Sequence, residues 1–122
     1  MAVEQDWHDS MKYYLSPEQT SAVEMRSIAR YGKDTQTTVC MEECAELIQA
    51  ISKLKRYNPE DPTNKVGRSE LIENLYEEMA DVLICFDLLV EIYGLKPSDL
   101  RRMMDHKVWR IKRKLEAQGE KF

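Results

Sequence analysis

The chain has 122 residues, of which 43% are hydrophobic and 33% charged, with a formal net charge of −4. This length supports one core rather than two, and this composition excludes a disordered chain. No run of about 18 uncharged apolar residues is present, which argues against a membrane span, and the negative balance argues against nucleic acid as a partner.

The opening stretch, MAVEQDWHDS, is acidic and lacks the apolar core of a signal peptide, so a cytoplasmic protein is expected. Residues 1–15, with Trp7, Tyr13 and Tyr14, read as an N-terminal arm: a packed segment, a short helix or part of a subunit contact. SPEQ then opens a helix, with Ser16 as N-cap, Pro17 at the first position and Gln19 completing a capping box. That helix is predicted to reach about Tyr31 and to stop at Gly32. A second starts near Asp34 or Thr35 and ends before Asn58-Pro59. NPEDPTNKVGR, residues 58–68, is the one long polar connection. A third helix runs from about Ser69 to Tyr93, ending at Gly94, and Pro97 opens a fourth that reaches about Ala117. Strand signals are nearly absent. The expected fold is an all-α bundle of four to five helices, with residues 16–118 as a single domain.

Cys40, Cys44 and Cys85 fall within helical patterns, and an odd count argues against a disulfide scaffold. Cys40 and Cys44, one turn apart, could contribute to a zinc site, but only His8 and His106 could join them. Ordinary reduced core cysteines are expected instead.

The acids of MEECAE and EEMAD raise the functional question. With Val39 at zero on an ideal wheel, Glu43 falls at about 40° and Glu46 at about 340°, among Leu47, Ala50 and Leu54. With Leu71 at zero, Glu78 falls at about 340°, beside Leu75, Val82 and Phe86, and Asp81 at about 280° marks the margin. Residues three apart share a helix face, so Glu43/Glu46 and Glu78/Asp81 form two carboxylate pairs that can converge on one ion. Buried and unpaired, such acids cost several kcal/mol each or become protonated. A divalent cation resolves the conflict, and all-oxygen ligands select Mg²⁺ or Mn²⁺. Ordinary ion pairs with Lys53, Arg68 or Lys107 are the competing explanation, weakened by the matched pairs on two helices. Ferritin-like di-iron bundles would need Glu-x-x-His, which neither histidine supplies.

The last helix reverses the charge balance, with Arg101, Arg102, Lys107, Arg110, Lys112, Arg113 and Lys114 against Asp105. With Leu100 at zero, Lys107 lies at about 340°, towards the apolar flank of Met104, Val108, Ile111 and Leu115. Lys107 and Arg110 are therefore candidates for holding phosphates, whereas Lys112 and Arg113 suit a solvated face.

Glu42-Glu43-x-x-Glu46 followed by Glu78-x-x-Asp81 resembles the EExxE…ExxD signature of MazG-like nucleoside triphosphate pyrophosphohydrolases, a group of all-α enzymes with the dimeric dUTPases and phosphoribosyl-ATP pyrophosphohydrolases. The resemblance spans about residues 28–115, through YGKDTQ, EECAELIQAISK, EEMADVLI and Lys107-x-x-Arg110. It implies the all-α NTP pyrophosphatase architecture, with Glu43, Glu46, Glu78 and Asp81 as Mg²⁺ ligands. Glu42 becomes a supporting acid or general base, shared in that second role with Glu43, and Lys107 and Arg110 would contact substrate phosphates. The implied reaction cleaves between the α- and β-phosphates to a nucleoside monophosphate and pyrophosphate, in house-cleaning or pool control. A homodimer or homotetramer is also implied. The chain departs from the family pattern in the long separation of the two motifs, attributed to the 58–68 loop, and in His106, where relatives often carry Asn. The alternative is a non-catalytic helical oligomerisation module whose acids form structural ion pairs. Tyr31, Tyr76, Tyr93 and Trp109 are possible platforms for a base.

Overall fold

A computed structural model describes residues 7, 8 and 10–122, so residues 1–6 and 9 of the expected arm lie outside the described residues. Five helices follow in order: α1 (Ser10–Tyr13), α2 (Pro17–Tyr31), α3 (Lys33–Arg56), α4 (Arg68–Tyr93) and α5 (Pro97–Ala117). No strand occurs among the described residues, as the lack of period-two patterning predicts.

The helix ends follow from local chemistry. Ser16 Oγ accepts a hydrogen bond from the Gln19 N–H (3.1 Å), and the Gln19 side-chain oxygen accepts from the Ser16 N–H (2.8 Å), closing the capping box around α2. At Gly32 the backbone turns to φ +91°, a conformation L side chains rarely adopt, and this separates α2 from α3. The same glycine donates its N–H to the Ile28 carbonyl and accepts from the Gln36 N–H, so one residue closes one helix and opens the next. Between α3 and α4, Asn58 and Asp61 organise the loop: Asn64 donates to the Asn58 carbonyl, and Asp61 accepts from both the backbone and hydroxyl of Thr63. The Thr63 hydrogen bonds hold the Asp61 carboxyl below its ordinary range.

The chain forms two compact units, Met1–Leu88 and Leu89–Phe122. In the first, the core lies along α3 and α4, with Cys40 and Ala50 buried on one and Leu71, Val82, Cys85 and Leu88 on the other. Cys40 Sγ lies 3.8 Å from the Cys85 carbonyl, to which it donates, tying the two helices together. Gln36, also buried, donates from its amide to Ser27 Oγ (2.7 Å) and so pins α3 to α2. Cys40 and Cys85 are core thiols as expected, whereas Cys44 is exposed.

The buried face of α4 differs from the expected stripe. Leu71, Glu78, Val82, Cys85 and Ile92 are buried, and Phe86 is 47% exposed. Of these, Leu71, Glu78, Cys85 and Ile92 keep the seven-residue spacing of a helix seam, which drifts against an ideal straight wheel. The seam is therefore rotated away from Phe86 and centred close to Glu78. In the second unit Ile92 is buried and Leu115 half-buried. Every residue of α5 from Pro97 to Lys114 is exposed, including the flank of Leu100, Met104, Val108 and Ile111. Lys107, expected to point towards a core, is exposed with them, because that flank covers nothing within its unit.

Replacing Ser16 by Ala removes the cap from α2. Urea unfolding is expected to register a loss of about 1 kcal/mol, seen as a lower midpoint at an unchanged slope.

Candidate metal centre

α3 and α4 bring their acids together across the seam. One carboxylate oxygen each from Glu43, Glu46 and Glu78 lie within 4.8 Å of one another. Glu78 is 9% exposed and Glu43 is half-buried, and each keeps a buried Oε2 with no hydrogen-bond partner. Asp81, also half-buried, completes the set through a side-chain hydrogen bond with Glu43. The helices thus pair their acids crosswise: Glu43 of α3 with Asp81 of α4, and Glu46 of α3 with Glu78 of α4.

A hydrogen bond between two carboxyl groups needs a proton. Burial pushes the Glu43 carboxyl up to about 7, reinforced by the Asp81 hydrogen bond and by the charges of Asp81, Glu46 and Glu78. Burial likewise raises Glu78, with further help from the charge and hydrogen bond of Glu46 and the charges of Asp81 and Glu77. Burial and the neighbouring charges thus favour the protonated forms of Glu43 and Glu78, and a proton held there offsets part of the repulsion that a cation would otherwise relieve.

The donor set suits a hard divalent ion. Carboxylate oxygens from two helices, two of them buried without a partner, could hold a hard divalent ion and lack the sulfur or nitrogen of a typical structural zinc site. The exposed Cys44 lies outside this group.

Of the predicted site residues, Glu43, Glu46, Glu78 and Asp81 come together. Glu46 is exposed rather than within the stripe, because the buried face of α3 centres on Gln36, Cys40 and Ala50 and leaves it on the flank. Its carboxylate still reaches the other two. Glu42 is exposed and outside the three-carboxylate group. Lys107 and Arg110 are exposed cations of α5, in the second unit. Their neighbour Trp109 stacks on His106 (6.2 Å) and carries the Arg113 guanidinium 5.6 Å from its ring centre.

A cleft of about 730 Å³ adjoins the cluster, and Asp81 lines it. Trp7, Asn74 and Tyr76 form part of its wall, and of these only Tyr76 stands out in the sequence. Asn74 falls two turns before Asp81 and could have been found from that spacing. Trp7 sits in an arm without periodicity and offers no such signal.

The raised carboxyls predict a stability slope in the metal-free protein. An unfolded chain releases the Glu43 proton near 4.5 and the folded chain near about 7. Between those values the folded state holds a proton that the unfolded state has lost, so stability falls as pH rises through the window and levels off above it. Glu78 contributes with the same sign. Urea unfolding in EDTA across this range should show the decline, and Glu43→Gln should flatten it. An unchanged slope in that variant contradicts the assignment.

No family model and no solved structure matches the chain. A curated relative, the uncharacterised protein YvdC of Bacillus subtilis strain 168, is 27% identical over 85 residues, which cover 70% of this chain and 80% of that protein.

Proposed function

We propose that the protein is a Mg²⁺-dependent nucleoside triphosphate pyrophosphohydrolase of the MazG-like type, working in nucleotide house-cleaning or pool control. The observation that carries this reading is the crossed carboxyl cluster of α3 and α4, with buried oxygens on Glu43 and Glu78 that nothing in the chain satisfies. Glu43, Glu46, Glu78 and Asp81 would hold the ion. Bound there, Mg²⁺ or Mn²⁺ would supply charge neutralisation of a triphosphate and a template for in-line attack by water.

In the proposed reaction the water oxygen bonds to the α-phosphorus and the bridge to the β-phosphate breaks, releasing a nucleoside monophosphate and pyrophosphate. The proton of the attacking water would go to a carboxylate, either the exposed Glu42 outside the cluster or Glu43 in its ionised form within it. Lys107 and Arg110 are the proposed phosphate contacts on their chemistry, as exposed cations suited to phosphate oxygens.

A second copy of the chain belongs to the proposal. Met79, Leu83 and Phe86 on α4, and Leu100, Met104, Val108 and Ile111 on α5, are all exposed. Each of these two apolar stretches, taken on its own helix, suits an interaction surface. Light scattering behind gel filtration is expected to return a dimer or tetramer mass, and a monomer mass would refute self-association.

Removing single ligands tests the chemistry. Glu46→Ala and Asp81→Ala should each lower Mg²⁺-dependent pyrophosphate release by at least about a hundredfold, the scale of losing one group that acts only on the reacting charge. Their helical circular dichroism should match the parent. If both variants keep parental activity, or if the parent releases no pyrophosphate from any natural or modified nucleotide, the reading fails. An interaction module would instead change only its stability and would be indifferent to chelators.

A further inference from the structure

We propose that the cleft beside Asp81 receives the nucleobase of the substrate and prefers a positively charged, N-alkylated base, such as an N-alkylated purine, over an ordinary base. The inference rests on the nucleotide reading above and names the substrate class of that same site.

The cleft is within the size range of small-molecule sites. Trp7 and Tyr76 meet in it as a tilted pair, with ring centres 5.5 Å apart and planes at 50°. His8 stacks on Trp7 at 4.1 Å and 23°, a geometry that backs the indole. Both aromatic rings stay about half exposed, Trp7 at 48% and Tyr76 at 58%, so stacking area is left for a ligand. Of the aromatic platforms suggested by the sequence, Tyr76 is the one that shares a cleft with a residue of the carboxyl cluster. Trp109, by contrast, is engaged by His106 and Arg113.

Charge decides which end of a nucleotide enters. Glu70, Glu73 and Glu77 line the cleft with Asp81, and no lysine or arginine is among its described lining residues. Phosphates would be repelled from such a wall, so the base is the end that fits. Ionised carboxylates only accept hydrogen bonds, and Asn74 adds one amide that can both donate and accept. A uracil or thymine edge presents a single N–H donor flanked by two carbonyl acceptors, and those carbonyls meet these acids unfavourably. An amino-bearing base presents donors. An N-alkylated purine adds a positive charge, which gains from the acids and from the faces of Trp7 and Tyr76 together, as aromatic cages do for quaternary ammonium groups.

The experiment separates this inference from the hydrolase reading by using nucleosides, without phosphates and in EDTA. The chain holds two tryptophans, so the Trp7 indole N–H signal is assigned in a ¹H–¹⁵N spectrum by comparison with Trp109→Phe. Titration with 1-methyladenosine, adenosine and uridine is expected to shift the Trp7 signal in that order of affinity. The cationic nucleoside should bind roughly tenfold tighter than adenosine. Glu73→Gln and Glu77→Gln should narrow that ratio, and Tyr76→Ala should weaken all three. Equal affinities, a preference for uridine, or no shift with any nucleoside overturns the proposal. Triphosphate hydrolysis on the same preparation is scored separately. Activity without the nucleoside preference leaves the hydrolase standing and removes the base site, whereas the preference without activity does the reverse.

Discussion

Two carboxyl groups within hydrogen-bonding reach in a dry site must share a proton or a cation, because ionising both there costs several kcal/mol. Across one pair of helices this protein brings two such pairs together, each only partly withdrawn from water: Glu43 and Asp81 are half-buried, Glu78 is buried and Glu46 is exposed. Glu43 faces Asp81, and Glu78 faces Glu46. Each pair joins α3 to α4, so the two helices are linked through groups whose charge depends on what is bound between them. Burial and the neighbouring charges favour the protonated forms of Glu43 and Glu78, and a hard divalent ion would compete with those protons for the same oxygens.

That arrangement demands a rigid frame, and the rest of the first unit supplies it. Cys40 donates to the Cys85 carbonyl three residues before Glu43 in the chain and four after Asp81, one turn beyond the acids. At the start of α3, Gln36 is buried and held by Ser27, so a polar group inside the core is satisfied rather than left as a second conflict. In the cluster, by contrast, Glu43 and Glu78 each keep a buried oxygen without a hydrogen-bond partner, as a pair of acids awaiting a cation would. The loop that separates the two acidic motifs carries its own hydrogen bonds through Asn58 and Asp61.

Much of this was legible from residues whose effects are local. Ser16, Pro17 and Gln19 announce the start of α2, Gly32 its end, and Pro97 the start of α5, and each boundary falls within a residue or two of its signal. The acids were visible because they interrupt an apolar stripe. What a sequence wheel could not supply was the centre of that stripe, since the partner helix decides which flank is buried. Phe86 pulled the expected face towards itself, yet the seam runs through Cys85 and places Glu78 at its middle and Glu46 at its edge. The same reasoning assigned Lys107 a core-facing role by its apolar neighbours, although within its own unit those neighbours are exposed. Trp7 was illegible for another reason: its contact with Tyr76 joins distant parts of the chain, and no periodicity surrounds it.

Along α4 two faces run side by side. Leu71, Glu78, Val82 and Cys85 form the buried seam, while Glu70, Asn74, Glu77 and Asp81 line the neighbouring cleft. These sets lie within about a quarter turn of each other on the wheel, as the helical advance per residue requires. Asp81 belongs to both, since it bonds Glu43 on one side and walls the cleft on the other. A ligand in the cleft and an ion in the cluster would then touch a single carboxylate, held on a continuous helix rather than on a loop. Under the proposed reading, recognition of a ligand and occupancy of the metal site would then meet at one residue.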